Sequence, residues 1–123
     1  MSLKKVFSNS FETSAVGTDE VLLSHLYAND YDQTKEAVLS VLKNQGFVVE
    51  DINDDYKEIL ASKSNVEVII TLFNNTYYET SVDIKVTTSY LIPFGRGYKI
   101  IKAIYDALPR FVTIKNIGAK AWV

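Results

Sequence analysis

One histidine, three acid or amide side chains at alternate positions and a Gly-Arg-Gly step are the residues whose types and spacing could carry chemistry. His25 is the only imidazole in the chain. A histidine general base needs an orienting carboxylate and a nucleophile or substrate within hydrogen-bond reach. Ser24 is its neighbour, but strand alternation would send the two side chains to opposite faces. His25 therefore reads as a structural or surface residue, and an enzyme would have to rely on it with Asp or Tyr partners. With a single histidine and no cysteine, neither a thiolate site nor a paired-imidazole metal site is available.

Asp51, Asn53 and Asp55 have the spacing that opens a calcium-binding loop. That loop requires Gly at its sixth position and Glu at its twelfth, and here these are Tyr56 and Ser62. The run reads as an acidic hairpin turn. Gly95-Arg96-Gly97, ahead of a helix, could present backbone N–H groups to an anion, with Arg96 adding charge. It lacks the full phosphate-loop spacing and a strand-to-helix crossover unit, and so reads as a hinge between sheet and helix. No catalytic residue, metal or cofactor is assigned. The chain has eight tyrosines, a residue type suited to boundaries between apolar and wet surroundings. Tyr78, Tyr90 and Tyr105 are the candidates for the rim of a ligand site.

The elements that must position these residues centre on Val66 to Tyr90, a pair of long strands. The second carries Tyr78, Thr80, Val82, Ile84, Val86, Thr88 and Tyr90 on one face, and Glu79, Ser81, Asp83, Lys85, Thr87 and Ser89 on the other. Such alternation marks a sheet with one dry face. The turn is expected at Asn74-Asn75-Thr76. Val21 to Tyr27 reads as a strand, with a helix as the alternative. Asp30 looks like an N-cap with Gln33 in capping-box position, opening a helix to about Gln45. Its stripe is Tyr31, Thr34, Val38, Val41 and Leu42, and Gly46 suits the position just past its end. Strands are expected over Phe47 to Ile52 and Tyr56 to Lys63, completing a four-strand antiparallel meander with turns at Asn53-Asp54-Asp55 and Ser64-Asn65. A second helix follows over Tyr98 to Leu108, with Ile100, Ile101, Ile104, Tyr105 and Leu108 as its stripe.

The expected fold class is α+β: a two-layer sandwich with the two helices on one face of an antiparallel sheet. The chain reads as a single domain over 1–123, with an N-terminal arm or edge strand in 1–18. The segment 110–123 is an apolar tail, with a strand expected over Phe111 to Ile117.

Thirteen Lys and Arg against fifteen Asp and Glu give a net charge of −2 without a basic run, so nucleic acid is not an expected partner. No stretch reaches the roughly 18 apolar residues of a membrane span. As written, the chain shows no export signal and reads as cytoplasmic. An exported protein stripped of its leader would look the same.

The positions Gly46, Phe47, Val49, Asp51, Ile59 and Ala61, within "GFVVEDINDDYKEILAS", resemble a glycine, aromatic, valine, aspartate, isoleucine and alanine pattern. That pattern follows the first helix in a family of small bacterial domains of unknown function. The resemblance covers about two thirds of the chain, from Tyr31 to Leu108. It implies a β-α-β-β-β-β-α sandwich and, because many members sit in exported lipoproteins, an envelope location. It brings no catalytic residues. The chain departs from the family in lacking a lipid-attachment cysteine and in its apolar tail. A more distant likeness is to helix-grip folds, which hold apolar ligands and for which this chain is short.

The leading functional expectation is a non-enzymatic interaction module that self-associates. Phe111, Val112, Ile114 and Trp122 are its interface candidates, because together they would leave an apolar patch that monomers avoid. The alternative is a binder of a small apolar ligand held between sheet and helices, rimmed by Tyr78, Tyr90 and Tyr105.

Overall fold

The computed structural model describes residues 7–13 and 20–118, and for residues 7–9, 11 and 89–94 it describes the backbone alone. The strands are β1 (Phe7–Glu12), β2 (His25–Tyr27), β3 (Val48–Asn53), β4 (Glu58–Lys63), β5 (Val66–Thr76), β6 (Glu79–Pro93) and β7 (Ile114–Ile117). Helix α1 spans Tyr31–Asn44 and α2 spans Phe94–Ala107. The fold is α+β: both helices pack into one core against a single antiparallel sheet.

Local sequence fixes the two ends of α1. The Asp30 carboxylate accepts the Gln33 N–H at 2.8 Å, and the Gln33 side chain accepts the Asp30 N–H at 3.3 Å. These two bonds form a capping box and satisfy donors that the first turn would otherwise leave open. At the other end the Phe47 N–H donates to the Leu42 carbonyl at 2.9 Å and the Gly46 N–H to the Lys43 carbonyl at 3.1 Å. That pair of bonds is a Schellman motif, and it needs the left-handed φ of +85° found at Gly46. Thr34, Ala37, Val38, Val41 and Leu42 form the buried stripe, while Tyr31 is half-buried.

In the sheet, Ile59, Ile70 and Ile84 lie side by side across three strands, as do Ala61, Val68 and Val86. All six are buried, and Ile101, Ile104, Tyr105 and Leu108 of α2 and the turn after it cover them. Burying each large apolar side chain in such a layer contributes about 1.5–3 kcal/mol.

Strands β3 to β6 form the expected meander, and the sheet continues beyond it in the order β3-β4-β5-β6-β2-β7. Strand β6 is long enough to serve two partners along one edge. Its first residues pair with β2, through Thr80 to Val82. Its later residues pair with β1, from Lys85 to Pro93.

Several boundaries differ from the sequence reading. The β5–β6 turn is Tyr77-Tyr78, because an irregularity between Asn74 and Thr76 absorbs a residue and Thr76 still pairs with Glu79. The segment read as a hinge, 94–97, is the first turn of α2, which starts directly after Pro93. Glu20–Leu22 is a single 3-10 turn, Leu23 forms an isolated bridge and His25–Tyr27 is the strand, so each reading of residues 21–27 holds for part of them. After α2 a 3-10 turn, Leu108–Arg110, precedes β7, which begins at Ile114 rather than Phe111. Among the described residues no helix is long and apolar enough to cross a membrane.

Candidate functional site

At one end of the sandwich, the end of α1, the β4–β5 hairpin and the first turns of α2 line a half-open cavity of about 330 Å³. The hairpin turn there is Ser64-Asn65, with φ of +48° and +66°. Two left-handed residues between Lys63 and Val66, which pair with each other, match the backbone twist of the flanking strands. This turn brings Lys63 beneath the end of α1. Its ammonium donates to the Gln45 carbonyl at 2.8 Å and lies 5.7 Å from the centre of the Phe47 ring. The Gln45 amide donates to the Ala103 carbonyl at 2.9 Å, tying α1 to α2.

Helix α2 gives the cavity Arg96, Lys99, Ile100 and Ala103. Their spacing, i, i+3, i+4 and i+7, is one stripe of a helix. Along it the side chains change from cationic at the N-terminal end to apolar further in. Phe47 and Val66, both buried, complete the apolar lining. Among the described residues no carboxylate lines this cavity. By contrast, three other concavities each include at least one Asp or Glu.

A second cluster of polar groups lies where β1 ends and β2 begins along β6. Thr13 fills the gap between the two strands. Its N–H donates to the Ile84 carbonyl at 2.9 Å, and its hydroxyl accepts the Ile84 N–H at 2.9 Å. The same hydroxyl donates to the Asp83 carboxylate at 2.7 Å, to which Ser24 also donates at 2.5 Å. On the core side the Tyr105 hydroxyl donates to the Val82 carbonyl at 2.8 Å.

The His25 ring stacks on Tyr105, and its Nε2 meets the Glu20 carbonyl at 3.0 Å. A carbonyl only accepts, so Nε2 carries the proton and Nδ1 is left as an acceptor. Nδ1 is buried without a hydrogen-bond partner among the described residues. Burial lowers the His25 pKa and raises that of Tyr105 well above the usual phenol range. Both groups are thus held neutral inside the fold. Ser24 points instead to Asp83, so the structure does not join serine, histidine and carboxylate into a relay.

The residues predicted from sequence are dispersed. Tyr78 is 72 % exposed at the β5–β6 tip, edge-on to Tyr77. Tyr105 is a core residue, and the side chain of Tyr90 lies outside the described residues. Tyr78 and Tyr105 therefore do not share a ligand rim. Of the interface candidates, Phe111 is 48 % exposed and Ile114 38 %, whereas Val112 is buried in the core. Trp122 lies outside the described residues. Asn53, read as part of an acidic turn, accepts the N–H groups of Asp55 and Tyr56, both at 3.0 Å, and so folds that turn on itself. Sequence reasoning missed the convergence of Lys63 with Arg96 and Lys99. The helical spacing of Arg96, Lys99, Ile100 and Ala103 was its one visible signal.

No protein-family model matches the chain, and neither does any curated protein.

Proposed function

We propose that this chain is a non-catalytic interaction module that pairs with a second copy of itself through β7 and the turn before it. The observation that supports the reading is the pairing of an open edge with exposed apolar side chains. Among the described residues β7 ends the sheet, with β2 on one side. Its Ile114, and Phe111 just before it, stand at the surface, while Val112 anchors the segment in the core. An edge strand offers unpaired N–H and C=O groups to another chain. Two copies related by a two-fold axis could join their β7 strands antiparallel and cover Phe111 and Ile114 together.

Sedimentation velocity across micromolar concentrations tests this reading. The expected result is a dimer for the wild-type chain and a monomer for the double variant Phe111→Ser/Ile114→Lys, with thermal unfolding little changed. A wild-type chain that stays monomeric throughout, or a double variant that still dimerises, overturns it.

A further inference from the structure

We propose that the cavity between α1, the β4–β5 turn and α2 binds a small amphipathic anion, an oxyanion head group on an apolar body. This inference is independent of self-association through β7.

Three observations converge on that chemistry. First, Lys63, Arg96 and Lys99 line one cavity in a chain whose overall charge is negative. Segments more than thirty residues apart thus supply three exposed cations to one concavity, each placed to attract an anion seated there. Lys63 is held by the Gln45 carbonyl, but neither Arg96 nor Lys99 has an ion-pair partner among the described residues. Second, the remaining wall is largely apolar, with Phe47, Val66 and Ile100. An inorganic anion would leave that surface wet, and an uncharged apolar ligand would leave the cations unused. Third, the two kinds of surface are ordered along α2. Arg96 and Lys99 lie in its opening turns, where the helix dipole also favours negative charge, and Ile100 and Ala103 follow. A ligand would lie with its head group at the N-terminal end of α2 and its body toward Ala103.

The volume, about 330 Å³, is at the lower end of the range for ligand sites, roughly 300–1,000 Å³. It suits one short chain or ring system. A medium-chain carboxylate or an alkyl phosphate has the required chemistry.

The test is calorimetric titration of the full chain with decanoate, decyl phosphate and decanol, each below its aggregation concentration. Decanoate or decyl phosphate is expected to bind once per chain, and decanol at least tenfold more weakly. The variant Arg96→Gln/Lys99→Gln should weaken the anions at least tenfold. Lys63 is left intact because it also holds the end of α1. Amide shifts in NMR should centre on Phe47, Ile100 and Ala103. Absence of binding by both anions overturns the proposal. So does equal affinity for decanol, or an undiminished affinity in the double variant. Vesicles containing phosphatidylglycerol form a further arm. If the chain sediments with them through Arg96 and Lys99 while binding neither soluble anion, the cations serve a membrane surface and the cavity proposal fails.

Discussion

The imidazole of His25 lies flat on the phenol ring of Tyr105, with 3.5 Å between ring centroids and 4° between planes. The stack places the only histidine of the chain between the core and the seam where β1 gives way to β2 along β6. Both rings are neutral there, and the arrangement makes His25 sensitive to acid.

Stability should fall as pH drops below about 6.5, the ordinary histidine value. Burial lowers the pKa of His25 in the folded chain. The Glu20 carbonyl and the charges of Glu20, Asp106 and Asp83 act in the opposite direction but do not outweigh it. The unfolded chain therefore takes up the proton first, and protonation favours unfolding. This contribution is fully present above the unfolded value and is lost as pH falls toward the lower folded one. Its slope cannot exceed about 1.4 kcal/mol per pH unit, the limit for one proton. Urea unfolding at pH 7.5 and 5.5 measures it. A His25→Phe variant should show a smaller decline over that window, and an equal decline would assign the effect to other groups.

Thr13→Val should destabilise the fold by about 1–3 kcal/mol, the range for a buried polar group deprived of its partner. Valine has nearly the shape of threonine but cannot accept the Ile84 N–H or donate to Asp83. Thr13→Ser keeps the hydroxyl and should recover much of the loss. Chemical denaturation of the two variants side by side decides the matter, and equal stability would show that the hydroxyl contributes little.

Tyr27→Phe should be neutral or stabilising by about 1 kcal/mol. The Tyr27 ring is fully buried, and its hydroxyl has no hydrogen-bond partner among the described residues. Folding strips that hydroxyl of water without replacing the bond. Thermal and urea unfolding provide the comparison. A marked loss of stability would mean that the hydroxyl bonds to something, such as a buried water.

What the sequence revealed depended on how local the determining physics is. Asp30, Gln33 and Gly46 announce both ends of α1, because capping involves residues three or four apart. The alternation from Thr80 to Thr88 announces β6 and its dry face for the same reason. Strand order beyond the meander was not legible. Thr13 meets Ile84 across 71 positions, and no short-range pattern says that two separate strands will share one edge of β6. The β5–β6 turn was misplaced because Asn74, Asn75 and Thr76 have the composition of a turn, yet they extend β5, whose Asn74 and Thr76 still pair with β6, which leaves Tyr78 in the turn instead of on the dry face. The joint at Gly95-Arg96-Gly97 was read from its glycines, yet all three residues lie in the first turn of α2, where N–H groups have no intrahelical partner to lose. The cationic side of the cavity was half visible as a stripe on α2. Lys63 joins it only through the fold of a distant hairpin.

The two ends of the sheet share one device. Strand β3 carries an irregularity between Val49 and Asp51, with Glu50 and Asp51 exposed beside the apolar Val48 and Ile52. A kink and negative charge on a border strand discourage another strand from docking. Strand β7 carries an irregularity as well, where its register to β2 shifts between Leu26 and Tyr27. Each of these borders thus offers a newcomer only a short regular run, and a longer added strand would have to follow the kink. A brief join between two copies fits such a border, whereas the unbroken ladder that a fibre needs does not.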